Sequence, residues 1–281
     1  MRFEKKKNKI SVSSIVLYIF LIVHALFVIA PLFLMIMTSL KSNMEIMRNP
    51  MSLPTKIVLS GYLKLFRDSK VLIYVKNSIL ITVISLGASL TLSVFLSYAL
   101  ARYKGKWVDR LYFFFLAGMI IPIRLGVLFL NDLLNTLGLL DTYWAVIFVY
   151  VAMTIPFSMF IMTGYIRMIP QEMDEAAFID GCSSFMMIPK MMVPLLKPSI
   201  ATVAIYNFIP VWNDIYFPLI FISSQSKRPF MLYVTLFFGQ YQTDWNLVFS
   251  ALTFATAVSL VFYAFGSKHL VKGLTAGAIK G

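Results

Sequence analysis

The sequence predicts an all-α integral membrane protein with six transmembrane helices. The chain of 281 residues is 59% hydrophobic and only 13% charged, where soluble domains average roughly 45–50% and about 25%. Its mean hydropathy is +0.82, and the apolar residues fall into separate long runs with basic residues clustered between them. A water-soluble fold of this composition lacks the polar surface to cover its core. A bilayer removes that need, with about 20 apolar residues spanning its roughly 30 Å interior. Backbone groups there must bond within their own segment, so the runs are read as helices, not strands.

Residues 14–40 form the first predicted span. They follow Arg2, Lys5, Lys6, Lys7 and Lys9, as in a signal peptide. The apolar run is longer than the usual roughly 7–15 residues and lacks a small-residue cleavage site, so it is read as a retained helix. Residues 41–70 form a loop with turns at Asn49, Pro50 and Leu53, Pro54. Further spans are predicted at 71–100, 111–130, 143–165, 199–222 and 247–270. Fifteen of the 25 basic residues lie at the N-terminus, in 101–110, in 166–198 and near the C-terminus. Both termini are therefore placed in the cytoplasm, although the basic cluster in 41–70 opposes the asymmetry. External segments follow at 41–70, 131–142 and 223–246. Three regions result: 1–70, with the first helix and external loop; 71–270, the five-helix membrane domain; and 271–281, a cytoplasmic tail.

The formal charge of +13 is accounted for by these loops, and nucleic-acid binding is not expected. Cys182 is the one cysteine, which excludes an internal disulfide and a multi-cysteine metal site. His24 has no carboxylate or cysteine at ligand spacing and is expected to be packed and hydrogen-bonded. No metal is expected.

The loop at 166–198 is the most informative stretch. Pro170 suits a helix start. Glu172, Asp174 and Glu175 follow where the helix dipole favours negative charge. Ala176 and Ala177 are strong helix formers of minimal bulk. Gly181 suits a left-handed helix end, and Ser183 or Ser184 suits the cap of a second short helix leading to Pro194. Pro189 falls inside that helix and is expected to kink it. From the residues alone, this is either an interfacial amphipathic segment or a surface on which a partner docks closely against the alanines and pairs a basic residue with Glu175.

A family resemblance decides between them. Glu175, Ala176 and Ala177 are followed after three residues by Gly181, and after nine more by Met191, Met192, Val193 and Pro194. This resembles the E-A-A, x3, G, x9, I-x-L-P loop of binding-protein-dependent ABC importer permeases. Phe157, Ser158, Met159, Phe160, then Trp212, Asn213, Asp214, and the tail 272–281 are similar to carbohydrate-uptake permeases related to the smaller maltose-transporter membrane subunit. The resemblance implies a type I ABC importer permease fold and a sugar or oligosaccharide as cargo. It implies that Glu175, Ala176, Ala177, Phe178, Asp180, Gly181 and Pro194 couple the chain to a separate ATPase, whose closure rocks the membrane helices. It further implies a second homologous permease chain, two ATPase subunits and an extracytoplasmic sugar-binding protein. The tail is expected either to be solvated or to contact the ATPase subunits. The sequence holds no G-x-x-x-x-G-K-[ST] phosphate loop. ATP and Mg are therefore assigned to the partner ATPase subunits, and this chain is expected to be neither an enzyme nor a cofactor binder.

Asp214 is the principal intramembrane charge and a functional candidate on that ground. With Asn207, Trp212, Asn213 and Tyr216 it forms a polar aromatic group suited to sugar faces and hydroxyls. The same residues also suit an interfacial aromatic belt, with Asp214 reaching headgroup water. Pro210 and Pro218 are expected to break the helix around them. An ion-coupled secondary transporter is the rival reading, for which paired midplane acids or repeats are expected. A membrane enzyme is disfavoured because no nucleophile–base or metal constellation is present.

Overall fold

The computed structural model describes the backbone of residues 12–238 and 243–278, and side chains as far as Phe265. The basic N-terminal segment and the last three residues of the tail lie outside the described residues. All regular structure among the described residues is helical. The helices are α1 (Val12–Ser39), α2 (Asn43–Arg48), α3 (Ser60–Arg67), α4 (Lys70–Arg102), α5 (Lys106–Ile120), α6 (Val127–Thr136), α7 (Tyr143–Met168), α8 (Glu172–Ile179), α9 (Ser184–Met187), α10 (Val193–Leu195), α11 (Lys197–Trp212), α12 (Tyr216–Phe221), α13 (Phe230–Val234) and α14 (Trp245–Ala278).

Four helices, α1, α4, α7 and α14, are each long and apolar enough to cross a membrane. Two helix pairs pass the same test only together, each bent at a short break: Lys106–Ile120 with Ile123–Thr136 at 86°, and Ser184–Leu195 with Lys197–Trp212 at 78°; counting each pair as one span gives six. The first bend interrupts the run predicted at 111–130. Pro122 disfavours helical geometry in the residue before it, and Ile121 is extended, at φ −75° and ψ 121°. In the run predicted at 199–222, the break falls at 213–215, between the two prolines. Pro210 stays inside α11, and Pro218 sits in the first turn of α12, where its missing N–H leaves no helical bond unmade.

The chain divides into two compact units, Met1–Arg67 with Phe237–Thr253, and Asp68–Leu236 with Phe254–Gly281. In the larger unit α4 packs along α7. One face of α4 carries Ser78, Thr82, Ser85, Ser89, Ser93 and Ser97, all buried, at helical three- and four-residue spacing. Small side chains let helix backbones approach closely where no hydrophobic force pulls them together. Thr154 Oγ1 of α7 donates to Ser89 Oγ at 2.7 Å, and Ser97 Oγ donates to the Met159 carbonyl at 3.2 Å. Apolar clusters flank this seam. One gathers Ile81, Val146, Tyr150, Phe208 and Phe217, and the other Val94, Tyr98, Met162, Ile166, Met187 and Met192.

Residues 223–246, expected to be an external loop, contain the buried apolar helix α13. It is held by polar anchors at the start of α4. Asn77 Nδ2 donates to the carbonyls of Ser226 and Arg228, each at 2.9 Å. The Phe230 N–H donates to Ser78 Oγ at 2.8 Å, and the Tyr233 hydroxyl donates to Asp68. Asp141, at φ +57°, staples the same segment. Its carboxylate accepts from the N–H groups of Ser223 and Ser224, from the Ser224 hydroxyl, and from Lys227 Nζ. The Ser224 hydroxyl foremost, then its N–H and Lys227, hold the Asp141 carboxyl down at about 2. A depressed acid stabilises the fold above its unfolded pKa of about 4 and loses that contribution as pH falls through the folded value. Hydrogen exchange in 222–229 is therefore expected to rise between about pH 4 and about pH 2, and Asp141→Asn should flatten that rise.

In the smaller unit, Lys41 is fully buried. Its ammonium donates to the Asn49 and Pro50 carbonyls at 3.2 and 3.0 Å and to Ser52 Oγ at 3.3 Å, matching its three donors. Asn246 Nδ2 donates to the Ser39 and Lys41 carbonyls at 2.9 and 2.8 Å. The apolar length of α1 is exposed on all sides, which suits lipid or another chain. His24 differs from its expected packed state. It is exposed and stacks on Phe20 one turn away, with ring centroids 6.3 Å apart.

Candidate functional site

The segment after α7 folds as two short helices, α8 and α9, joined by a tight turn. The Gln171 carbonyl accepts from Asp174 and Glu175 N–H at 2.9 and 3.1 Å, starting α8. At its end the Cys182 N–H reaches back to the Ala177 carbonyl at 2.9 Å, and the Gly181 N–H to Phe178 at 3.0 Å. This pair of bonds is a Schellman closure, which needs a left-handed residue; Gly181 supplies it at φ +80°. Ser183 Oγ then accepts from the Met186 N–H at 3.3 Å and caps α9. The kink expected at Pro189 takes the form of a π-helical turn, Ile188–Met192. The Val193 N–H bonds the Ile188 carbonyl five residues back, so the chain passes the missing proline donor without ending the helix.

Most of this two-helix segment is exposed. Glu175, Ala176, Phe178, Ile179, Asp180, Gly181 and Pro194 are exposed, and Ala177 is half-buried against the Met162, Ile166 and Met187 cluster. Ile179 is 86% exposed and Phe185 is 74% exposed, so the exposed surface is apolar with an acidic edge. The inner side of α9 and the π-turn is anchored by buried Met187, Ile188 and Met192.

Asp174 is the buried residue of α8, and sequence reasoning did not single it out as a site residue. Its carboxylate accepts from Arg102 Nε at 2.6 Å and Nη2 at 3.3 Å. Arg102 ends α4, and its Nη1 donates to the Ile166 and Ile169 carbonyls at 3.1 and 3.0 Å. These are C-terminal carbonyls of α7, where a cation is favoured. The guanidinium fork thus joins the ends of three helices. In the sequence Arg102 is one basic residue of a topogenic cluster. The available signal was three acids in one helical turn, of which an inward-facing one needs a partner.

Residues 89–275 match the family model for the binding-protein-dependent transport system inner membrane component. The match runs from α4 through α8 and α9 and into α14. The chain belongs to this family. A putative ABC transporter permease of Caldicellulosiruptor sp. (strain Rt8B.4) is 35% identical, over 94% of this chain and 96% of the relative. A probable permease of the starch degradation products transport system of Thermoanaerobacterium thermosulfurigenes is 31% identical, over 97% and 99%. The fold matches a bacterial ABC transporter involved in import of the acidic polysaccharide alginate, with a TM-score of 0.79 at 21% identity, covering 95% of this chain and 99% of that one. The fold is accordingly that of a type I importer permease.

In this permease the other candidate residues are spread over α11 and the break after it. Asn207 is buried, and its Nδ2 donates to Ser158 Oγ at 2.9 Å. Trp212 is buried and stacks on Phe208. Asn213 Nδ2 donates to the Ile209 carbonyl at 2.9 Å and to Ser259 Oγ at 3.2 Å. Asp214 has a side chain only 8% exposed. It accepts from the Tyr150 hydroxyl at 2.9 Å and from the Tyr216 and Phe217 N–H groups at 3.3 and 3.1 Å. Arg124 lies 3.9 Å from Asp214 and stacks over Tyr216. Asp214 therefore caps α12. Asp214→Ala strips the acceptor from buried Tyr150 and should cost about 1–3 kcal/mol, read as a lowered Tm of the purified protein in detergent.

Proposed function

We propose that the chain is the membrane-spanning permease subunit of an ATP-driven importer for a sugar or oligosaccharide. The observation that carries the reading is the exposed surface of the α8–α9 segment, with Glu175 and exposed apolar residues held on a loop continuous with α7 and α11. In this reading that surface docks on a separate ATPase subunit, and both chain termini lie on the cytoplasmic side with it. Two ATPase subunits hold ATP and Mg, a second homologous permease completes the path, and an extracytoplasmic binding protein delivers the sugar. Catalysis belongs to the ATPase subunits. The carbohydrate class is supported by relatives such as the trehalose/maltose transport permease of Thermococcus litoralis, 30% identical over 95% of this chain, and by a solved alginate transporter in complex with a pentasaccharide-bound periplasmic protein. The exposed apolar surface of α1 fits lipid and the second permease.

Asn213 and Tyr216, both half-buried, are the path candidates most open to a sugar, with Asn207, Trp212 and Asp214 shaping the wall behind them. The bonds already made by Asp214 argue against an ion-carrying carboxylate. The test is uptake of labelled oligosaccharides by vesicles holding the complete complex. ATP-dependent uptake is expected to need the binding protein and to persist when ion gradients are collapsed. Uptake that follows an ion gradient without ATP would overturn the reading.

A further inference from the structure

We infer that Arg102 and Asp174 are positioning residues that fasten α8 to the ends of α4 and α7, so that a push on α8 moves these spans as one body. The inference rests on the coupling reading above. Asp174 is the buried residue of α8, so little apolar burial holds this helix. Only residues 169–171 join it to α7, and Ile169 there is extended. With no other tie α8 would pivot at this turn, and a thrust would be absorbed as rotation. Apolar contact is non-directional, whereas a guanidinium fork on a carboxylate fixes both distance and angle.

Arg102 uses its Nη1 donors on the Ile166 and Ile169 carbonyls, so the guanidinium also grips the end of α7. The Tyr98 hydroxyl adds a longer bond to Asp174 at 3.4 Å. Both side chains of the ion pair are less than a tenth exposed, at 8% and 9%, which shields the pair from salt and water. The helix α9 and the π-turn after it have their own apolar anchor in Met187, Ile188 and Met192. The ionic tie is thus specific to α8, the helix that carries Glu175.

The test uses the whole reconstituted importer, measuring uptake and ATP hydrolysis on the same vesicles. Arg102→Met and Asp174→Asn are expected to assemble with the ATPase subunits and to hydrolyse ATP. Uptake per ATP should fall about tenfold, inside the range typical of coupling between sites, with the substrate KM unchanged. Arg102→Lys keeps charge but loses the fork, and should recover only part of the loss. An unchanged uptake-to-ATP ratio in either assembled variant overturns the inference. So does failure of both variants to assemble, which would make the pair a folding element. Glu175→Lys runs in parallel: loss of uptake there with normal coupling in Arg102→Met rejects the tie alone, and normal uptake in both rejects the coupling reading itself.

Discussion

Glu175→Lys is expected to abolish ATP-driven uptake while the permease still inserts normally into the membrane. Glu175 is exposed at the start of α8, so the substitution removes no buried contact. Its local penalty is the unfavourable placing of a cation near a helix N-terminus, about 0.3–1 kcal/mol. In the docking proposed above, the larger effect would fall on affinity for the ATPase subunit, because truncating a charged interfacial pair costs roughly 2–5 kcal/mol, or about thirtyfold and more in affinity. Gly181→Val should give the same phenotype by another route. No atom lies within 4 Å of a Cβ built on Gly181, so the change is not a clash. It forces a β-branched residue to φ +80°, in a region costing roughly 1–2 kcal/mol for L-residues. The Schellman closure is expected to open, which would change how α8 leads into α9. Uptake by vesicles, alongside the amount of protein in the membrane fraction, checks both variants.

Gly61→Ala is expected to destabilise the smaller unit, even though alanine is normally the better helix former. A Cβ at position 61 would lie 2.4 Å from Ser250 Oγ and 2.6 Å from both the carbonyl and Oδ1 of Asn246. Two of those atoms belong to side chains, but the Asn246 carbonyl is backbone and moves only with its helix. Asn246 also holds Ser39 and Lys41 through its amide and accepts from Ser60. Separating α3 from α14 would therefore strain that network too. Overpacking of this kind costs about 1–3 kcal/mol. A fall in Tm in detergent and faster proteolysis within 41–67 are the expected readouts. Gly87→Ala, with nothing within 4 Å of its added carbon, is the matched control and should not lower Tm.

The parts legible in the sequence share one property, that they depend on neighbours along the chain. The segment of α8 and α9 is of this kind. Proline, acids, alanines, glycine and serine each act within a turn of themselves, and Gly181 and Ser183 take the places assigned to them. Pro189 was correctly read as an irregularity, and the π-turn is the form it takes. The residues that were missed act across the chain. Arg102 and Asp174 are 72 positions apart, and each alone is an ordinary charge at a helix end. Asn77 and Ser78 look like minor polar residues of a span, yet they hold the buried helix α13 roughly 150 residues downstream.

By itself, therefore, the sequence determined the membrane class, the helical content, the approximate positions of the spans and the local shape of the loop carrying Glu175. Hydropathy, periodicity and capping are short-range quantities, and the bilayer turns them into helices directly. Tertiary structure alone decided where spans bend, that Asp214 caps a helix within its own chain, that α13 is buried, and that an arginine joins three helix ends. Each of those depends on which distant polar group meets which backbone carbonyl or amide, because inside a membrane a polar group must find its partner in the protein.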